Sequence, residues 1–193
     1  MIVDRPDAYF IFIYHPKTLL GYSYFTYQGE PLTNKEYLEH WGKWIVLGGR
    51  KKLDELAEKM DPYVEKRNIP CVKYDKSPPE ELDLEVKQKL RSRFVDAEQA
   101  GDVLKECVMC VYCDDRQREE VWRILASLGV TLKAWFYERE TIELWLPGGL
   151  LLERWINRNC PDEAEAEKVR QESRERFSAI FRNEDAIYTG WAQ

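Results

Sequence analysis

The sequence predicts an α+β domain with a curved, mainly antiparallel sheet and helices packed on one face. Three observations carry that expectation. Two strand–helix–strand blocks, residues 45–74 and 108–137, run with the same spacing. The aromatic and β-branched segment 8–14 (AYFIFIY) supplies a further strand outside them. Residues 131–143 are too polar at alternate positions for a strand buried on both faces, which argues against a doubly wound parallel sheet. Residues 1–193 are read as a single domain, with a partly irregular connector at about 76–106 and a C-terminal helical extension at about 150–193.

In chain order, the first strand ends at His15-Pro16-Lys17, where proline restrains the preceding residue. Residues 21–27 (GYSYFTY) read as a strand or an aromatic loop, and Gln28-Gly29-Glu30-Pro31 as a turn. Thr33 and Glu36 form a capping-box pattern for a short helix over 34–40. The run 44–47 (WIVL) is the next strand and Gly48-Gly49 turns the chain. Leu53, Leu56, Ala57 and Met60 then share one helical face, with Pro62 predicted to kink that helix or open a second one. Residues 69–74 complete the first block. The second block opens with 107–113 (CVMCVYC), continues with Val121, Trp122, Leu125 and Leu128 as a buried helix face, and stops at Gly129. Glu138-Arg139-Glu140 reads as a hairpin tip between strands over 132–137 and 141–146. A short amphipathic helix over 150–157 and a charged helix over 163–181 follow, the latter anchored by Val169, Phe177 and Ile180. Tyr188 and Trp191 dock the tail.

Composition narrows the class. Hydrophobic residues make up 44% and charged residues 33% of the chain, the balance of an ordinary globular protein. Seven Trp and eleven Tyr point to an aromatic-rich core, or to an aromatic-lined pocket for a planar ligand. A net charge of −6 disfavours nucleic acid as a partner. No apolar run approaches the ~20 residues of a membrane span, and the start of the chain lacks a signal-peptide layout. Five cysteines in a chain of this size suit a reducing, cytoplasmic compartment.

Each candidate site has a plainer structural role beside it. Cys107, Cys110 and Cys113 have a metal-like spacing. On a strand, however, the middle thiol faces the opposite side, and no glycine lets the chain wrap a cluster, so no metal or cofactor is expected. Gly48, Gly49, Arg50 and Lys51, with Lys52, form a strand-to-helix turn able to cradle an anion, or simply a solvated basic turn. His15, Lys17, Arg50 and Lys73 line one polar cleft with Tyr14 or Tyr74 if the strand ends cluster, with His15 as the candidate acid or base. His40 reads as structural.

The stretch His40-Trp41-Gly42-Lys43-Trp44-Ile45-Val46, the leucine-bearing helix after it and Cys71-Val72-Lys73-Tyr74 resemble the basophilic-leukemia-expressed protein family. The second block, with Asp114-Asp115, Leu128-Gly129-Val130, Tyr137, Glu140 and Thr141, resembles the second half of that family. The resemblance covers roughly residues 9–144. It implies a fold similar to the cap-binding translation initiation factor and carries the label of a phosphothreonine lyase domain. Cap binding does not transfer, because no Trp here is followed by Asp or Glu.

The expected function is binding of a small anionic or planar ligand, such as a nucleotide or phosphorylated compound. Two alternatives stand beside it. One is a small lyase-like enzyme using His15 with a Lys and a Tyr. The other is a structural or oligomerisation protein, a homodimer whose aromatics sit at the subunit interface. No motif names a reaction.

Overall fold

Strands β5 (Trp41–Gly48), β6 (Cys71–Asp75), β7 (Cys107–Asp114) and β8 (Trp135–Tyr137) form the centre of the sheet, with helix α2 (Arg50–Glu65) between the first two and α3 (Arg118–Ser127) between the last two. The structure is a computed structural model and describes residues 1–77 and 107–190. Nearly all of the expected connector, and Trp191, lie outside the described residues.

Strand β1 (Ile2–Asp4) and β2 (Phe10–Tyr14) extend the sheet, whose order is β1-β2-β6-β7-β5-β8 with every neighbouring pair antiparallel. Each predicted block is therefore a parallel pair joined by a helix, and each pair is split by a strand of the other block. β7 lies between β5 and β6, while β5 lies between β7 and β8. This is the ferredoxin-like, split βαβ arrangement. It reconciles two crossover units with an antiparallel sheet.

Strand parity gives the sheet two unlike faces. Along β7, Cys107, Met109, Val111 and Cys113 enter a core with Leu53, Leu56, Ala57, Met60 and Val64 of α2 and Val121 and Leu125 of α3. The α2 residues recur at helical spacing, and the helix runs through Pro62 without ending there. Helices α2 and α3 thus cover one face, as expected.

The opposite face is covered too. Helices α1 (Asn34–His40), α4 (Glu138–Trp145), α5 (Leu150–Asn159) and α6 (Glu163–Arg182) lie on this side. Tyr37, Leu38, Ile142, Phe177 and Ile180 gather there around Trp41 and Leu32, and Tyr188 joins them from the tail. Rings pack in succession along this face, from Phe12 through Tyr14 and Tyr24 to Phe25, with centroids 4.3–5.4 Å apart.

One expected element is corrected. Residues 138–145 form α4 and not the second strand of a hairpin. The alternation over 141–144 imitates a strand. Ile142 and Trp145, however, are three residues apart on one helical face, and Glu138 and Glu140 fall in the first turn, where a carboxylate is favourable. A real hairpin lies earlier, where β3 (Thr26–Tyr27) pairs with β4 (Glu30–Pro31). Its two-residue turn, Gln28-Gly29, has positive φ at both positions.

The capping box forms as the spacing predicts: Glu36 N–H donates to Thr33 Oγ1 at 3.2 Å and Thr33 N–H to Glu36 Oε2 at 2.9 Å. The backbone bond from Thr33 leads the causes that hold the Glu36 carboxyl below its usual range. A carboxyl whose folded pKa is depressed adds stability above its unfolded value of ~4.3 and loses it as pH falls through the folded value. The stability gap between the wild type and Glu36→Gln should therefore shrink on acidification from pH 6 to pH 3, as followed by urea denaturation. Gly42 tests the register of β5 against β8. A Cβ there meets the Trp135 ring at 2.3 Å and the Phe136 carbonyl oxygen at 2.7 Å. Gly42→Ala should cost on the order of 1–3 kcal/mol, and an unchanged urea midpoint would refute that close approach.

Candidate functional site

Lys43 occupies the middle of β5 on the face turned away from α2, and only 9% of it is exposed. An ammonium at such a place requires a partner. Glu138 provides one. β8 ends beside β5 with Tyr137 opposite Gly42, and the chain then turns into α4 so that its first residue reaches Lys43. Lys43 Nζ donates to the Glu138 carboxylate and, at 3.0 Å, to Thr141 Oγ1 one turn later. Burial pulls the Lys43 pKa down, but the Glu138 charge and hydrogen bond outweigh it, and the net shift is upward. The ammonium stays charged.

Tyr112 of β7 lies opposite Lys43 in the sheet, with Lys43 Nζ 5.7 Å from its ring centroid. Lys73, on β6 at the other side of β7, brings a second ammonium to 5.9 Å from the same ring and to 4.5 Å from the Phe10 ring. Burial pushes the Tyr112 hydroxyl well above its usual range, so it remains neutral. Among the described residues no carboxylate lies within ion-pair distance of Lys73.

These three residues floor a cleft of about 520 Å³. Helix α4 supplies Ile142 and Trp145 to its walls, and α5 supplies Leu152 and Trp155. From α6 come Val169, Glu172, Ser173, Arg176 and Phe177, the stripe at successive spacings of three and four that a helix turns to one side. Ser173 Oγ donates to the Trp145 carbonyl, tying α6 to α4. Arg170 joins α6 to α5 through a fork on Glu153, with contacts of 2.9–3.2 Å. Glu172, Arg176 and Trp155 are exposed, so they form the mouth.

Of the residues proposed from sequence as catalytic or ligand-binding, Lys73 alone lines this cleft. Tyr74, its neighbour on β6, faces α2, where its hydroxyl donates to Asp54 Oδ1 at 2.9 Å. Arg50 Nε donates to the same oxygen at 2.8 Å, and Arg50 Nη1 to the Lys76 carbonyl at 2.9 Å. The Gly48-Gly49-Arg50-Lys51 turn is thus a helix start whose arginine is already engaged, with Lys51 exposed. His15 caps a 3-10 turn (Pro16–Leu20) at the far end of β2, its Nδ1 accepting from Lys17 N–H at 3.1 Å. Desolvation and the nearby Arg67 and Lys17 charges hold its imidazole below the usual value.

The expected grouping of His15, Lys17, Arg50 and Lys73 does not form. Tyr14 pairs with Cys71 at the start of β6, whereas Arg50 meets the chain just beyond the end of β6. The two ends of β6 lie a strand's length apart, so His15 and Arg50 are at opposite ends of the sheet.

The cysteines obey strand parity: Cys107 and Cys113 lie in the α2–α3 core and Cys110 on the other face. Burial pushes the Cys113 and Cys71 thiols well up. A further cluster joins His40, Asp114 and Asp115, whose ligand atoms lie within 4.8 Å of one another. Its carboxylates are already engaged. Arg116 grips both oxygens of the buried Asp114 at 2.8 Å, while Asp115 bonds His40 Nδ1 and Tyr137 Oη at 3.0 Å each. The cluster latches the end of β7 to α1 and β8.

Sequence reasoning passed over Lys43, Tyr112, Glu138 and Arg176. Lys43 had a usable signal, since it is the one charge in the apolar run WGKWIVLG. Replacing it tests the pair. Lys43→Met leaves the Glu138 carboxylate buried and uncompensated and should cost ~3–5 kcal/mol, whereas the Lys43→Met/Glu138→Leu double variant should recover most of that loss in urea melts. Equal losses in both variants would show that the cost is one of packing.

No known protein family, curated protein or solved structure matches this chain in the comparisons made with it.

Proposed function

We propose that the protein binds a small anionic ligand with a planar or apolar body in the cleft between the sheet and helices α4–α6. The observation that carries this reading is Lys73. Its ammonium projects into a cleft walled by aromatic and aliphatic side chains and rests on the rings of Phe10 and Tyr112. Cation–π contacts are worth ~0.5–2 kcal/mol, enough to position an ammonium while leaving its protons for an anion. The volume lies within the 300–1,000 Å³ range typical of small-molecule sites. Trp145 and Trp155 supply flat surfaces, and the latter is 45% exposed at the mouth. Nucleotides and other phosphorylated compounds are members of the broad class of anionic, planar compounds against which the cleft is to be tested.

Among the described residues no helix is long and apolar enough to cross a membrane, and the cleft is the feature that calls for a partner. Titration of the protein with a panel of anionic planar compounds, read by tryptophan fluorescence and thermal shift, tests the proposal. Lys73→Ala should weaken the best ligand about 10–100-fold, the value of a charged hydrogen bond. Unchanged affinity in that variant would remove the cleft as the binding site.

A further inference from the structure

Resting on the cleft reading above, we infer that the ligand is a monoanion, a carboxylate on an aromatic body, and not a nucleoside di- or triphosphate. The charges of the cleft set this limit. Among the described residues, Lys43, Lys73 and Arg176 face Glu138 and Glu172, so three cations against two carboxylates leave a single positive charge. Lys43 is committed to Glu138, and Arg176 and Glu172 are both at the open mouth. Among the described residues, Lys73 is the floor cation with no carboxylate within ion-pair distance, its strand neighbour Asp75 accepting instead from Val108 N–H. A ligand carrying one negative charge completes that balance. Each further charge enters an apolar-walled site whose other floor cation, Lys43, is already paired, and approaches Glu138.

The neutral groups agree. The rest of a nucleotide, a sugar with its hydroxyls and a base with its polar edge, needs hydrogen-bond partners when it is buried. The cleft has few to give. Thr141 Oγ1 already accepts from Lys43 and Ser173 Oγ already donates to the Trp145 carbonyl. Against these stand Ile142, Trp145, Leu152, Trp155, Val169 and Phe177. Such a wall favours hydrocarbon and ring surface. A carboxylate has two oxygens to satisfy. Lys73 provides ammonium protons for one, and the third Lys43 proton, beyond those given to Glu138 and Thr141, is a donor on the same floor.

Calorimetric titration of the full chain with 2-naphthoate, 2-naphthamide, AMP and ATP separates the possibilities. Naphthoate should bind at least tenfold tighter than AMP and ATP, and the neutral amide at least tenfold weaker than the acid. In Lys73→Ala the acid should fall to the affinity of the amide. If AMP or ATP binds as tightly as naphthoate, the monoanion assignment is overturned while the cleft reading stands. Equal binding of acid and amide also overturns it. If none of the four compounds binds and none raises the melting temperature, the cleft reading falls with it.

Discussion

A lysine in the middle of the most enclosed strand constrains much of this molecule. β5 has neighbours on both edges and every one of its residues is buried, so the Lys43 ammonium needs a partner within the fold. Its charge is met because β8 pairs with β5 and then breaks into a helix directly over it, placing Glu138 in a first turn that also favours a carboxylate. Such a pair contributes little net stability compared with an apolar pair of equal volume. What it contributes is placement. The start of α4 is fixed above β5, and α5 and α6 are then tied on through Ser173, Arg170 and Glu153.

The interlocked blocks explain why the two faces of one sheet differ so much. Each block sends its own crossover helix to the same side, and that side becomes a dry core of Leu, Val, Met and Cys. The other side has no crossover helix and is left to α1, the aromatic segment before it and the elements at the end of the chain. They bring charge as well as apolar surface, and the space between them and the strands is where charged side chains meet aromatic ones. The topology itself implies no activity, since this arrangement hosts many. It decides which face is open to one.

How much of this was legible follows from which residues carry local signals. The two blocks were readable because α2 repeats Leu53, Leu56, Ala57 and Met60 at helical spacing and β7 alternates in burial. Thr33 and Glu36 announced their helix through a local hydrogen-bond pattern. Helix α4 was missed because eight residues contain too few turns to separate its period from that of a strand, and its decisive contact, Glu138 with Lys43, is non-local. The cleft was missed for the same reason. Tyr112, Lys73 and Arg176 belong to three elements, and only the folded register brings them together. The basic turn at Arg50 shows the converse error. Clustered cations suggested an anion site, while Asp54, four residues on, already occupied the arginine.

Lys43 and Lys73 sharpen that distinction. Each is the single lysine of its strand (β6 also ends in Asp75, whose carboxylate accepts from Val108 N–H), both face the same side, and both hold an ammonium within 6 Å of the Tyr112 ring centroid. Sequence cannot tell them apart. In the fold, one lies under the start of α4 and receives a carboxylate, while the other lies toward β2, where the neighbouring side chains on its face are Phe10 and Phe12. An aromatic face attracts a cation without consuming its hydrogen-bond donors. The two lysines are therefore divided by their neighbours into a structural charge that organises the wall of the cleft and a charge on its floor still able to bind an anion.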